Sequence, residues 1–152
     1  MQCRLEDLAV ETPVQEMPAL SERLGIRVLI KREDLQPVFS FKLRGAYAKL
    51  QSLEPQEREH GVVCASAGNH AQGVALAARH LGIDAVVVMP NITPDIKVEA
   101  VRKLGATVVI KGDDFDESCS IALRRQSRAS RRSRGEAAAS SARCWDVPRN
   151  PW

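Results

Sequence analysis

Two short segments carry side chains whose type and spacing suit chemistry. In Ser40-Phe41-Lys42-Leu43-Arg44-Gly45 a lysine stands beside an aromatic residue at the predicted start of a helix. The positive end of a helix disfavours an ammonium and so favours a nucleophilic amine, the group that forms Schiff bases with carbonyl compounds. A solvated surface lysine fits the same spacing, and Lys49 further along supports only that plainer reading. In Ser66-Ala67-Gly68-Asn69-His70 the glycine permits close backbone approach, and the N–H groups of a helix start favour a carboxylate or a phosphate. Ser66 and Asn69 add a hydroxyl and a carboxamide. An ordinary strand-to-helix turn with Asn69 as its cap fits these residues too, and spacing alone leaves both readings open. His60, His70 and His80 stand ten residues apart and need not converge, so no metal site is assigned. His70 is given a role in its loop or in packing rather than in acid–base chemistry. Cys3, Cys64, Cys119 and Cys144 contain no Cys-x-x-Cys pair, which predicts reduced thiols, with Cys64 in the core.

The elements that must position these segments alternate in type. Val28-Leu29-Ile30 reads as a short strand, and Ser40 is placed to cap a helix whose Leu43, Tyr47 and Leu50 fall at i, i+4 and i+7. Gly61 breaks the chain before Val62-Val63-Cys64-Ala65, a buried strand. The next helix opens at Asn69, carries Val74, Ala78 and Leu81 on one face and ends at Gly82. The unit then repeats. Ala85–Met89 is a second strand, and Thr93-Pro94-Asp95 starts a helix with Thr93 as cap and Pro94 in the first position. Val98, Val101 and Leu104 line that helix, Glu99 and Lys103 make an i,i+4 pair, and Thr107–Ile110 is a third strand. This order predicts an α/β fold, a parallel sheet with helices on both faces, most clearly over residues 60–111. Ligands of such sheets settle beyond the carboxyl ends of the strands, where Ser66–His70 falls.

Composition narrows the class further. A length of 152 residues, 44% of them hydrophobic and 27% charged, suits one globular domain rather than two, and excludes a collagen-like chain. No apolar run approaches the roughly 18–20 residues that a membrane-spanning helix needs. The start, Met1–Asp7, lacks the basic-then-apolar order of a signal peptide, so a cytoplasmic location is expected. The net charge of +3 averages two unlike parts. Residues 1–120 hold 14 basic and 17 acidic residues, whereas 121–152 hold eight arginines against Glu136 and Asp146.

The ordered set of motifs resembles a known family. Ser40–Ala46 followed by Ala65-Ser66-Ala67-Gly68-Asn69-His70-Ala71-Gln72-Gly73 is similar to the fold-type II (tryptophan-synthase-β-like) pyridoxal-phosphate enzymes, and within them to the biosynthetic threonine dehydratases, or threonine ammonia-lyases. The likeness includes Glu11-Thr12-Pro13, Lys31–Pro37, Met89-Pro90, Asp95-Ile96-Lys97 and Gly112–Glu117, and is dense from about residue 7 to residue 123. The resemblance implies that Lys42 holds pyridoxal 5'-phosphate as a Schiff base and then takes the substrate's α-proton. It implies that Phe41 packs near the cofactor ring and that Asn69 bonds the ring's 3-oxygen. The segment Ser66, Ala67, Gly68, Asn69 and His70 would grip the carboxylate of an amino-acid substrate, L-threonine or, alternatively, L-serine. The implied reaction converts L-threonine to 2-oxobutanoate and ammonia, the first committed step toward isoleucine. Serine racemase and the catabolic dehydratases are the alternatives within the fold, and cysteine synthase is disfavoured by its different motifs.

The chain departs from that pattern in two places. Family members have a longer catalytic domain with a glycine-rich loop for the cofactor phosphate, and no Gly-Gly-Gly run occurs here. Residues 1–123 are therefore expected to form the N-terminal part of the catalytic domain, with a smaller lobe at about 60–111, binding the cofactor loosely or forming an inactive fragment. The first part, with the Val28–Ile30 strand and the Lys42 helix, is expected to expose apolar surface. Residues 124–152, rich in Arg, Ser and Ala, are expected to be a disordered or frameshifted tail. Aromatic interleaving is missing there until Trp145 and Trp152, which disfavours nucleic acid as a partner. Nothing in the sequence fixes an oligomeric state.

Overall fold

A computed structural model describes residues 4–132 of the chain. Its centre is a parallel sheet of three strands, β3 (Val62–Ala65), β4 (Ala85–Met89) and β5 (Thr107–Ile110), in the order β3-β4-β5. Val62 pairs with Ala85 and Val86 with Thr107. The middle strand is covered on both sides, so Val87, Val88 and Met89 are wholly buried; a parallel strand in that position reads as an unbroken apolar run. Helix α4 (Asn69–Leu81) joins β3 to β4 and α5 (Asp95–Lys103) joins β4 to β5. Cys64, Val87 and Met89 face a core shared with Val74, Ala78, Val98 and Val101 of these helices. On the opposite face Ala65 and Val88 pack against Ile121 and Ala122 of α6 (Phe115–Arg132). The predicted α/β architecture, with helices on both faces, is thus the observed one.

Helix α2 (Lys42–Gln51) forms a further layer on α4. Its stripe of Leu43, Ala46, Tyr47 and Leu50 is buried in the same core as Ala71, Val74 and Ala78. The Lys42 helix therefore does not expose the apolar surface expected of it, because α4 covers that stripe. Gly73 sets how closely the two helices approach. A Cβ there would stand 3.1 Å from the Lys42 carbonyl carbon and 3.2 Å from its oxygen, tighter than ordinary contact.

The preceding segment is built differently. Strand β1 (Val14–Glu16) runs antiparallel to β2 (Leu29–Lys31), with α1 (Pro18–Leu24) between them, and none of the three contains a buried residue. Here exposed apolar side chains do occur, among them Val14, Leu24 and Leu29. A short helix α3 (Pro55–Glu59) leads into β3.

Local expectations fail at three helix ends. Ser40 does not cap α2, since Phe41 occupies the cap position, and Thr93 does not cap α5, since Pro94 does. Both hydroxyls are buried without a hydrogen-bond partner among the described residues. Glu99 pairs with Arg102 at 2.7 Å, at i+3, rather than with Lys103 at i+4. Helix α6 continues to Arg132, so residues 124–132 of the expected tail are helical. Once Ile121 and Ala122 seat the helix on the sheet, each further residue adds a backbone bond at little cost. The rest of that tail lies outside the described residues. No helix among the described residues is long and apolar enough to cross a membrane.

Candidate active site

The loop leaving β3 is folded on itself. The Ser66 N–H donates to the Val88 carbonyl at 3.1 Å, which continues the strand pairing by one residue. Its buried hydroxyl oxygen accepts the Gly68 N–H at 3.3 Å, which leaves the hydroxyl hydrogen available to an acceptor. Gly68, not Asn69, caps α4, and that cap makes no side-chain hydrogen bond. Ala67 and Gly68 are half-buried, and Asn69, the first residue of the helix, is exposed. The first-turn N–H groups of a helix have no partner within it, so the loop presents donors as well as the Ser66 hydroxyl and the Asn69 carboxamide.

Lys42 opens α2 as expected, half-buried, with its Nζ 5.2 Å from the centroid of the exposed Phe41 ring. The Gly73 contact holds its backbone against the second turn of α4, which brings the lysine to the end of the helix that carries the loop. His70 records that proximity. Burial first, and then the Lys42 ammonium, pushes its imidazole below the ordinary range. The ring itself is half-buried in the first turn of α4. Among the described residues no cluster of three or more His, Cys, Asp or Glu is placed to hold a metal.

One group of residues near this site escaped the sequence reading. Arg44, two positions after Lys42, forks onto Glu33 with Nε–Oε2 at 2.8 Å and Nη2–Oε1 at 2.9 Å. Thr12 donates its hydroxyl to Glu33 Oε1 at 2.7 Å. Gln36, wholly buried, accepts the Val10 N–H at 3.0 Å, donates to the Val10 carbonyl at 2.9 Å and reaches Glu33 Oε2 at 3.3 Å. The Arg44 hydrogen bonds outweigh the opposing effect of partial burial and, with those from Thr12 and Gln36, lower the Glu33 carboxyl to about 2. The only sequence signal for this cluster was its presence within three of the matched motifs.

The chain matches the family model of the pyridoxal-phosphate-dependent enzymes over residues 5–141. It belongs to that family. The match runs past the compositional break near Ile121, and past residue 123 where the motif likeness was expected to stop, into the basic segment. Threonine dehydratase 1 biosynthetic, chloroplastic, of Solanum lycopersicum is 60% identical over 122 residues, covering 80% of this chain and 20% of that protein. The processed form of threonine deaminase isoform 2 from Solanum lycopersicum superposes with a TM-score of 0.78 at 51% identity, covering 83% of this chain and 35% of that one. Maize serine racemase gives the same TM-score at 32% identity, over 85% of this chain and 39% of that one. The chain spans about one fifth of the length of the curated relatives it matches.

The residues present fit the family's cofactor. Lys42 offers an amine for the aldehyde, Phe41 an exposed aromatic face and Asn69 an exposed carboxamide. Immediately before them the buried Ser40 hydroxyl has no partner of its own among the described residues.

Proposed function

We propose that this chain supplies the lysine and the carboxylate loop of a pyridoxal-phosphate-dependent threonine dehydratase. The observation that supports the reading is the packing of the start of α2 on α4 at Gly73, together with the charge of Lys42 acting on His70 in the first turn of α4. Lys42 Nζ would hold the cofactor, and Phe41 and Asn69 would contribute an aromatic face and a carboxamide to its binding. When bound, pyridoxal phosphate supplies an electron sink for the carbanion of an amino acid. The loop N–H groups and the Ser66 hydroxyl bind the substrate carboxylate and fix which bond at the α-carbon faces the lysine. The Lys42 amine would accept the α-proton, the β-hydroxyl leaves with a proton as water, and the released enamine, as its imine tautomer, takes up one water to give 2-oxobutanoate and ammonia. L-Serine is the alternative substrate, favoured by the likeness to serine racemase.

Adding pyridoxal phosphate to the chain tests this directly. The expected result is a visible Schiff-base absorbance band, absent in Lys42→Ala, with ammonia released from L-threonine faster than from L-serine. A band of equal strength in the alanine variant overturns the assignment of Lys42. Faster turnover of L-serine moves the substrate assignment to that amino acid.

A further inference from the structure

Helix α2 is held from two sides. On one, Gly73 lets α4 touch the Lys42 backbone. On the other, Arg44 forks onto Glu33, which comes from the turn Glu33–Leu35. Two residues along an α-helix turn the side chain by about 200°, so Arg44 points away from Lys42 and can grip a second element without blocking the amine. The grip is more than a surface ion pair. Glu33 is mostly covered, Thr12 and Gln36 are almost fully buried, and every polar atom of the Gln36 side chain is used. Arg44 also reaches the Val10 carbonyl at 3.5 Å. Three stretches far apart in sequence, Val10–Thr12, Glu33–Gln36 and the first turn of α2, are thereby fixed to one carboxylate. A forked arginine–carboxylate pair constrains direction as well as distance, which a lysine in its place does not.

Resting on the function proposed above, we propose that Glu33, Arg44, Thr12 and Gln36 form a positioning clamp that sets the Lys42 amine for reaction with the cofactor aldehyde. Their role is to hold the first turn of α2 in one orientation against α4. They touch neither cofactor nor substrate. The exposed Lys49, one and a half turns further along the same helix, is outside the clamp and serves as an internal reference.

The test treats the full chain with pyridoxal phosphate and borohydride and compares pyridoxyl labelling of Lys42 and Lys49 by peptide mass spectrometry. In the unaltered chain Lys42 is expected to be labelled at least tenfold faster than Lys49. Arg44→Lys, which keeps the charge and loses the fork, is expected to lower that ratio at least fivefold. Thr12→Val, which keeps shape and loses the hydroxyl, lowers it about threefold, and Thr12→Ser restores it. A general loosening of the fold raises labelling of both lysines, whereas loss of positioning slows Lys42 alone. If Arg44→Lys fails to fold, the two Thr12 variants decide. A high ratio in the unaltered chain that survives Thr12→Val and Arg44→Lys overturns the clamp and leaves the function standing. A ratio near one in the unaltered chain overturns both.

Discussion

Glu33 is a carboxylate whose ionised form is held by three neighbouring side chains. Its folded carboxyl titrates at about 2, against an ordinary value of 4.5, because Arg44 first, and then Thr12 and Gln36, bond the ionised form. Between those values the unfolded chain binds a proton that the folded chain refuses, so stability rises with pH in that window. The contribution is complete above pH about 4.5 and is lost as the pH falls toward about 2. Resistance of the unaltered chain to urea is therefore expected to fall as the pH drops from about 4.5 to about 3. In Glu33→Gln that slope flattens, because the titrating group is gone. An unchanged slope in the variant excludes Glu33 as the source. The Glu99–Arg102 pair makes a useful contrast. Both of its side chains are about half exposed, and a solvated pair of that kind contributes little at any pH.

Two hydroxyls placed as helix caps by their position in the sequence end up buried and unbonded, and α5 offers the cleaner test of what that costs. Thr93 precedes the Pro94 cap, and its hydroxyl meets no partner among the described residues. Valine keeps the branched shape and removes the unpaired group, so Thr93→Val is expected to stabilise the chain by roughly 1 kcal/mol in denaturant midpoint measurements. A destabilised variant shows that the hydroxyl is in use. The same elements indicate what was readable beforehand. Strands β3, β4 and β5 were legible to the residue because each is a short apolar, largely β-branched run; β4 is almost wholly buried, while β5, at the edge, is only partly covered. Helix α4 was legible because its stripe starts after Gly68 and stops at Gly82. Caps were misread because a Ser or Thr beside Pro or Phe satisfies the pattern without the backbone adopting the geometry. Strand β1 and helix α1 left no periodic signal, since a segment that buries nothing needs no apolar face. Lys42 and the Ser66–His70 loop were legible as local motifs. The Glu33–Arg44 clamp was not, because it joins residues 11, 21 and 26 positions apart through side chains alone.

The chain divides into a well-buried body and a thinly attached flap. In the body, Leu43, Tyr47 and Leu50 of α2 pack with Val74, Ala78 and Val101, and α6 closes the far face of the sheet on Val88. The flap consists of β1, α1 and β2, where Leu24, Ile26 and Leu29 are each at least half exposed. A two-stranded sheet with no covered face is marginal by itself; backbone pairing such as Met17 N–H to the Val28 carbonyl and Arg32 N–H to the Pro13 carbonyl, each at 3.0 Å, holds its strands to each other, while Thr12 and Glu33 anchor only its two ends to α2. Local opening follows such differences in burial, so the flap is expected to open at lower free energy than the body. Brief trypsin digestion measures this, because exposed basic residues occur in both parts. Cleavage after Arg23, Arg27 and Lys31 of the flap is expected to precede cleavage after Lys97, Arg102 and Lys103 of α5, whose apolar face is held by Val98 and Val101. The early fragments, identified by mass, would then start at Leu24, Val28 or Arg32 and keep the three-stranded sheet intact. Earlier cutting within α5 would place the weak point in the body, and the site held by α2 and α4 would then rest on a less stable support than its burial implies.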